Sequence, residues 1–289
     1  MPLHPVPARN LATVTKSRPQ WRSNTPRWLL RLLPWVDVDG GVYRINSVES
    51  SPKVQQGTDV GKTLPRSYAE YIDKPKEISL GSTQTVMEVF TRVAHIYSEP
   101  FDQVQEQLRM TILAAKEEQE HQLLYDPDFG LLNVAAPEMR AAVQGGGGPT
   151  PDDMDRLLRR VWKWSGFFLA NPQAIEAFGR ACSAKGINLD AIEMFGVPFV
   201  TWRGVPIVPT DKLAVNDGTT SILLMRVGEQ EQGVIGLHQD DIGDPQLPSL
   251  VVEFMGMSAE GVASYLVTNY FAAAVLTSDA LGILDNVKV

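Results

Sequence analysis

Between residues 201 and 236, apolar positions come in short β-branched runs separated by turn residues. Val205, Ile207 and Val208 flank Pro206 and predict a strand over 205–208. Asn216-Asp217-Gly218 is a turn signal, because these residues tolerate the left-handed backbone that tight turns need. Residues 221–227 predict a second strand, Val234 and Ile235 open a third, and 250–255 form another. Nothing in 201–236 places a nucleophile beside a base or gathers metal ligands. The stretch reads as a scaffold that presents a loop.

Other segments follow helical spacing. Val86, Val89, Phe90, Val93 and Ile96 predict a helix over 83–97. Pro100 starts a second at the first helical position, where its missing N–H is harmless; this helix runs to about Leu124 with Phe101, Val104, Leu108, Ile112 and Ala115 in register. Its later part, 116–122, is polar all round, which suits a solvated face or a contact with another subunit. Gly145 to Gly148 with Pro149 make a joint between units. Thr150 then caps a helix with Pro151 at its first position and Asp152 and Asp153 in its first turn. Met154, Leu157, Leu158, Val161 and Trp162 are its expected buried face. Asn171-Pro172 repeats the device for a helix that buries Ile175, Phe178 and Cys182 and ends at Gly186. Ser258 is expected to cap a last helix through about Leu276, carrying Val262, Tyr265, Leu266, Tyr270 and Phe271. From 36 to 80 the pattern is extended. Val38-Asp39-Gly40-Gly41-Val42 predicts a hairpin turn, Tyr43-Arg44-Ile45-Asn46 alternates with period two, and 68–72 with 77–80 supply the return strand beyond a polar loop.

The 289 residues can bury one large core or two smaller ones. A net charge of −8 argues against nucleic acid as the main partner. The single Cys182 excludes an internal disulfide framework and fits a reducing cytoplasm. No apolar run approaches the roughly 18 residues a membrane span needs. Pro2, His4, Pro5 and Pro7 stand where a signal peptide would need its apolar region, so a soluble cytoplasmic protein is expected. Charge is unevenly spread: residues 1–36 carry Arg9, Lys16, Arg18, Arg22, Arg27 and Arg31 and no acid, leaving −14 on the remainder. A basic arm of this kind can be a nucleic-acid or membrane tail, a transit peptide, or an arm lying on an acidic neighbouring subunit. Its anchors Trp21, Trp28, Leu29, Leu30, Leu32, Leu33 and Trp35 favour the last, because large aromatics are enriched in buried interfaces.

Catalytic signals are weak. Gly57-Thr58-Asp59-Val60-Gly61-Lys62-Thr63 resembles a phosphate loop but is one residue short between its glycines, has no leading apolar strand, and is followed by Pro65. Glu118 and His121 form one E-x-x-H pair, whereas a di-iron bundle needs two such pairs and further carboxylates. Of the other histidines, His4 has no partner motif, His95 borders an apolar helix face, and His238 precedes Asp240 and Asp241 in a turn-rich loop where acids are usually solvated. No hydrolase elbow, zinc motif or dinucleotide fingerprint occurs, so no catalytic, cofactor or metal site is expected in the chain.

A family resemblance runs through nearly the whole chain. It is carried by Ala8-Arg9-Asn10-Leu11-Ala12-Thr13, Arg27-Trp28-Leu29-Leu30 and Leu33-Pro34-Trp35-Val36. Asp128-Phe129-Gly130-Leu131-Leu132-Asn133, Gly148-Pro149-Thr150-Pro151-Asp152-Asp153 and Phe167-Phe168-Leu169-Ala170 continue it. Thr201-Trp202-Arg203-Gly204-Val205-Pro206, Leu223-Leu224-Met225-Arg226-Val227-Gly228, Ala274-Val275-Leu276-Thr277 and Ala280-Leu281-Gly282 complete it. As a set these resemble family 2 encapsulins, once called major membrane protein I. The loop at 41–80 is too short for the cyclic-nucleotide-binding insertion of one branch, so the resemblance is to family 2A.

The resemblance implies an α+β, tailed-phage major capsid fold. Its parts are an N-terminal arm (1–40), an extended loop (41–80), a peripheral domain with a spine helix (81–149, joined by about 228–257) and an axial domain (150–227, joined by about 258–289). It implies an icosahedral shell of about 60 copies in a bacterial cytoplasm. Trp21, Trp28, Leu29 and Trp35 would anchor the arm on a neighbour, and Lys212, Asn216, Asp217 and Thr219 would line a fivefold pore. The implied partner is a cargo enzyme, a cysteine desulfurase of sulfur metabolism. Its pyridoxal phosphate would belong to the cargo alone. The alternative is a phage or prophage capsid protein that packages nucleic acid, whose interior should be basic.

Overall fold

The structure, a computed structural model, describes residues 21, 24–46, 54, 63, 65–67, 74–90, 103–239, 243–244 and 247–289. The first basic residues of the arm, the phosphate-loop lookalike, Pro100, His4, His95, Asp240 and Asp241 lie outside the described residues, as does the 68–72 half of the return strand.

The long strand β15 (Val262–Val275) organises one of two main sheets. It pairs antiparallel with β4 (Gly81–Phe90) along ten positions, from Val262 opposite Phe90 to Phe271 opposite Gly81. On its other side it pairs first with β14 (Leu250–Met257) and then with β11 (Val234–His238). Strand β1 (Trp35–Asp37) adds to β11 in parallel. Both β4 and β15 correct the sequence reading, which expected helices over 83–97 and 258–276; residues 91–97 are not described. Val262, Tyr265, Leu266, Tyr270 and Phe271 have helical spacing, but the segment is rich in β-branched and aromatic side chains that suit a pleated surface. Ser258 does not cap a helix. Its N–H donates to the Val262 carbonyl at 2.8 Å and its carbonyl accepts from Gly261 at 3.0 Å, closing a turn between β14 and β15.

Residues 38–42 also differ from expectation. They join strands of different sheets: β1 goes to β11, whereas β2 (Val42–Ile45) pairs antiparallel with β3 (Lys76–Ser79) as a separate ribbon. Gly236 permits the β1–β11 approach, since a Cβ there would lie 2.7 Å from the Trp35 ring.

The seven-stranded second sheet has the order β5-β16-β10-β6-β9-β8-β7. Its strands are β5 (Arg140–Ala142), β6 (Phe167–Ala170), β7 (Ala191–Met194), β8 (Val197–Trp202), β9 (Val205–Pro209), β10 (Thr219–Met225) and β16 (Leu281–Lys288). The strands expected near 205–208 and 221–227 are β9 and β10. The centre of this sheet is buried on both faces, so β6 is apolar throughout. Phe167 and Leu169 face a core shared with β11 and β15, and Phe168 and Ala170 face a second core. That second core holds Met154 and Leu157 of a helix Pro151–Arg160, and Phe178 and Cys182 of a helix Pro172–Ala184.

The helices follow their sequence signals more closely. In chain order they are α1 (Trp28–Leu32), α2 (Gln103–Tyr125), α3 (Leu131–Val134), α4 (Pro151–Arg160) and α5 (Pro172–Ala184). Thr150 and Asp153 form a reciprocal capping box on α4, and Asn171 accepts from Gln173 N–H at the start of α5. Trp162 is 71% exposed, against expectation, because the backbone leaves helical geometry at Val161. A small pair, β12 (Gly243–Asp244) with β13 (Leu247–Pro248), lies before β14.

Candidate functional site: arm, turn and assembly surfaces

The described part of the arm is held by its own subunit. Trp28, Leu29 and Leu33 are buried in the core that also contains Leu123, Leu124 and Ile235. The Trp28 ring meets Phe199 edge-on at 5.1 Å, and Trp35 Nε1 donates to the Leu30 carbonyl at 3.0 Å. Trp28 and Leu29 are therefore packed inside their own subunit, where the expectation placed them on a neighbour, and Trp35 is half-buried against the same core. Trp21 is half-buried and accepts a backbone bond from Asn24.

A buried polar cluster fixes the arm beside α2. Glu117 accepts from Thr25 N–H and Oγ1, both at 2.9 Å, from Arg27 Nη1, and from Lys212 Nζ at 2.7 Å. Glu120, one turn on, accepts from Leu29 N–H at 2.8 Å. Burial alone would raise the Glu117 carboxyl, but the bonds from Lys212, Thr25 and Arg27 outweigh it and hold the carboxyl below its ordinary value. Glu120 has less compensation, and burial pushes it up. Lys212 is raised; its burial opposes this, but bonds to Glu117 and Asp211 prevail. Glu117, Gln119 and Glu120 of the polar half of α2 are thus buried within the subunit, whereas Glu118 and His121 are exposed.

Lys212 also leaves the expected pore set. Its side chain is 8% exposed and bound to two carboxylates, so it cannot face a channel from this position. Asn216, Asp217 and Thr219 are placed differently. They form an exposed turn in which Asn216 and Thr219 exchange backbone bonds of 2.8 and 2.9 Å, with φ 50° at Asp217 and 71° at Gly218. Positive φ at both central positions is the geometry that the Asn-Asp-Gly signal announced.

The sequence reading missed a more prominent surface. Where β4, β15 and β14 leave the body, Val86, Phe90, Val252, Phe254, Met255 and Met257 are exposed, Phe90 at 76%. Among the described residues β14 and β4 each pair only with β15, so each keeps an open edge. Such edges and apolar patches mark interaction surfaces. The β7–β8 hairpin adds a smaller one, with Phe195 and Val197 exposed at its tip. The β2–β3 ribbon is tied down by Tyr43, whose hydroxyl donates to Glu229 at 2.8 Å; burial and this carboxylate push its pKa up to about 12. A two-stranded ribbon is marginal in isolation and gains order from contacts.

No group of three or more metal-binding side chains occurs among the described residues, and none of their helices is long and apolar enough to cross a membrane. His121 stacks on Tyr125 at 4.8 Å. Cys182 is buried, and that burial raises its thiol, which suits a packing role.

Two main sheets, a long helix, a two-stranded ribbon and open-edged strands define the tailed-phage major capsid fold. A solved structure of Microbacterium phage Oxtober96 matches it with a TM-score of 0.62 at 10% identity, covering 96% of this chain and 98% of that one, a likeness of fold alone. A family model described as type 2A encapsulin shell protein SrpI-like matches residues 44–289. The type 2A encapsulin shell protein SrpI of Synechococcus elongatus is 48% identical over 289 residues, 99% of this chain and 94% of the relative. The cryoEM structure of the holo-SrpI encapsulin complex from Synechococcus elongatus superposes with a TM-score of 0.85 at 47% identity, covering 100% of this chain and 97% of that one. The chain belongs to the SrpI-like type 2A encapsulin shell family.

Proposed function

We propose that this shell protein closes into an icosahedral compartment of about 60 copies that encloses a cysteine desulfurase in a bacterial cytoplasm. The observation that carries the shell reading is the apolar, open-edged surface of β4, β15 and β14, which leaves Phe90, Phe254 and Met257 in water until another copy covers them. The extended loop at 41–80 would reach an adjacent subunit, and residues before Trp21 would do the same. In this reading pyridoxal phosphate belongs to the enclosed enzyme. Co-purification from the native host tests the cargo: a desulfurase with pyridoxal-phosphate absorbance, protected from protease until the shell is opened, is the expected result. A different enclosed protein would remove the desulfurase assignment and leave the shell intact. Nucleic acid as the sole content would favour a capsid that packages a genome.

The pore assignment is narrowed to the turn of Asn216, Asp217 and Thr219. Reversing its charge with Asp217→Lys should alter entry of small charged substrates to an enclosed enzyme and leave particle size unchanged. Equal entry rates in both shells would remove the turn from the pore.

A further inference from the structure

Beside the arm, a half-open cleft of about 150 Å³ is lined by residues of α1, β1, α2, β11, β14 and β15. Its polar lining combines one ammonium, Lys116, with groups that both donate and accept, Gln119, Asn269, His238 and Tyr270. Lys116 and Gln119 reach it from α2 and Asn269 from β15, while Leu30, Trp35 and Leu250 form apolar wall. Asn269 is 3% exposed, and its Nδ2 has no hydrogen-bond partner among the described residues. A buried amide left unmatched is unfavourable and uncommon. Among the described residues no carboxylate lines the cleft. Burial, reinforced by the nearby Arg27 guanidinium, pushes the Lys116 ammonium below its ordinary value.

We propose that this cleft binds a carboxylate, with Lys116 supplying the charge, Asn269 Nδ2 a directed hydrogen bond, and Trp35 and Leu250 the contact for an apolar tail. A carboxylate fits better than a phosphate dianion. One ammonium among neutral donors matches one negative charge, and a second charge would be buried without a counterpart. The carboxylate has two possible sources, a free organic acid or an acidic group of another copy. Either would join α1 and β1 to α2 and β15, so occupancy would tighten the arm on the body. The site stands independently of which cargo is enclosed.

Equilibrium dialysis of labelled benzoate against the purified protein, in whatever oligomer it forms, tests the proposal, with benzamide as the uncharged control. Saturable benzoate binding in the millimolar range or tighter, with no uptake of benzamide, is expected. Lys116→Met should weaken it about tenfold or more, and Lys116→Arg should retain part of it. Asn269→Leu should weaken binding without lowering the melting temperature, because it removes an unmatched donor; a purely structural Asn269 would give the reverse. If benzoate does not bind, a cryoEM map of the assembled protein decides whether a carboxylate from another copy lies within hydrogen-bond distance of Lys116 Nζ. Finding one supports the site as a subunit contact. Neither benzoate binding nor such a carboxylate, or benzoate binding unchanged in Lys116→Met, overturns it.

Discussion

At the residue scale, Glu117 and Glu120 lie one helical turn apart and have opposite consequences. Glu117 balances Arg27 and Lys212, and its side chain is 7% exposed. Removing it as Glu117→Ala takes the carboxylate from Arg27 and leaves Lys212 with Asp211 alone, and should destabilise the subunit by up to about 3–5 kcal/mol, read as a lower unfolding midpoint. Because its folded pKa is depressed, its contribution is complete above the ordinary carboxylate range and is lost as pH falls through that range towards the folded value. Asp279, held low by Arg226, burial opposing, acts in the same direction. Glu120, whose folded pKa is raised, acts oppositely: its charged form opposes folding once the pH rises past the ordinary carboxylate value. Melting between pH 3 and 7 should therefore show Glu117→Gln less stable than the parent at neutral pH, with the difference shrinking in acid. Glu120→Gln should match or exceed the parent at neutral pH. Equal losses from both variants would refute the distinction. Local motifs such as the Thr150 cap were legible because their partners are adjacent. Glu117 was not, because Thr25 and Lys212 lie about ninety residues away on either side.

At the element scale, the surface that needs a neighbour is the open strand β14. Lysine at Phe254 or Met257 should leave folding nearly unchanged, since both side chains are largely exposed in the subunit, and should reduce particle yield. Circular dichroism with size exclusion separates the two effects; intact particles from both variants would remove β14 from the contacts. The same region was the hardest to read from sequence. Residues 81–90 and 262–275 combine helical spacing with β-branched and aromatic side chains, and the choice was made by a ten-position ladder between strands that are far apart in the chain. The helix α2, the strands β9 and β10 and the turn at 216–219 carried local signals strong enough to place them. β7 was missed because its residues are mostly exposed and carry no apolar alternation.

At the scale of the whole molecule, the arm has two parts with different duties. Deleting residues 1–20 should leave Trp28, Leu29 and Leu33 in the core and give a folded subunit. Deleting 1–35 removes those side chains and should give aggregated or poorly folded protein, because large buried side chains each contribute about 3–5 kcal/mol. Solubility and melting of the two truncations check this, and a well-folded product lacking 1–35 would contradict the intrasubunit role. The family could be read from motifs spread along the whole chain. The destination of the arm could not, since an apolar side chain announces that it will be buried without saying by which copy.

The most direct test of the account is the mass and shape of the purified recombinant protein, by light scattering after size exclusion followed by negative-stain images. Closed, uniform particles of roughly 20–30 nm, built from about 60 copies, are predicted. A monomer or small oligomer that persists across salt and pH would contradict the claim that the open strands and exposed apolar side chains of this chain exist to build a shell.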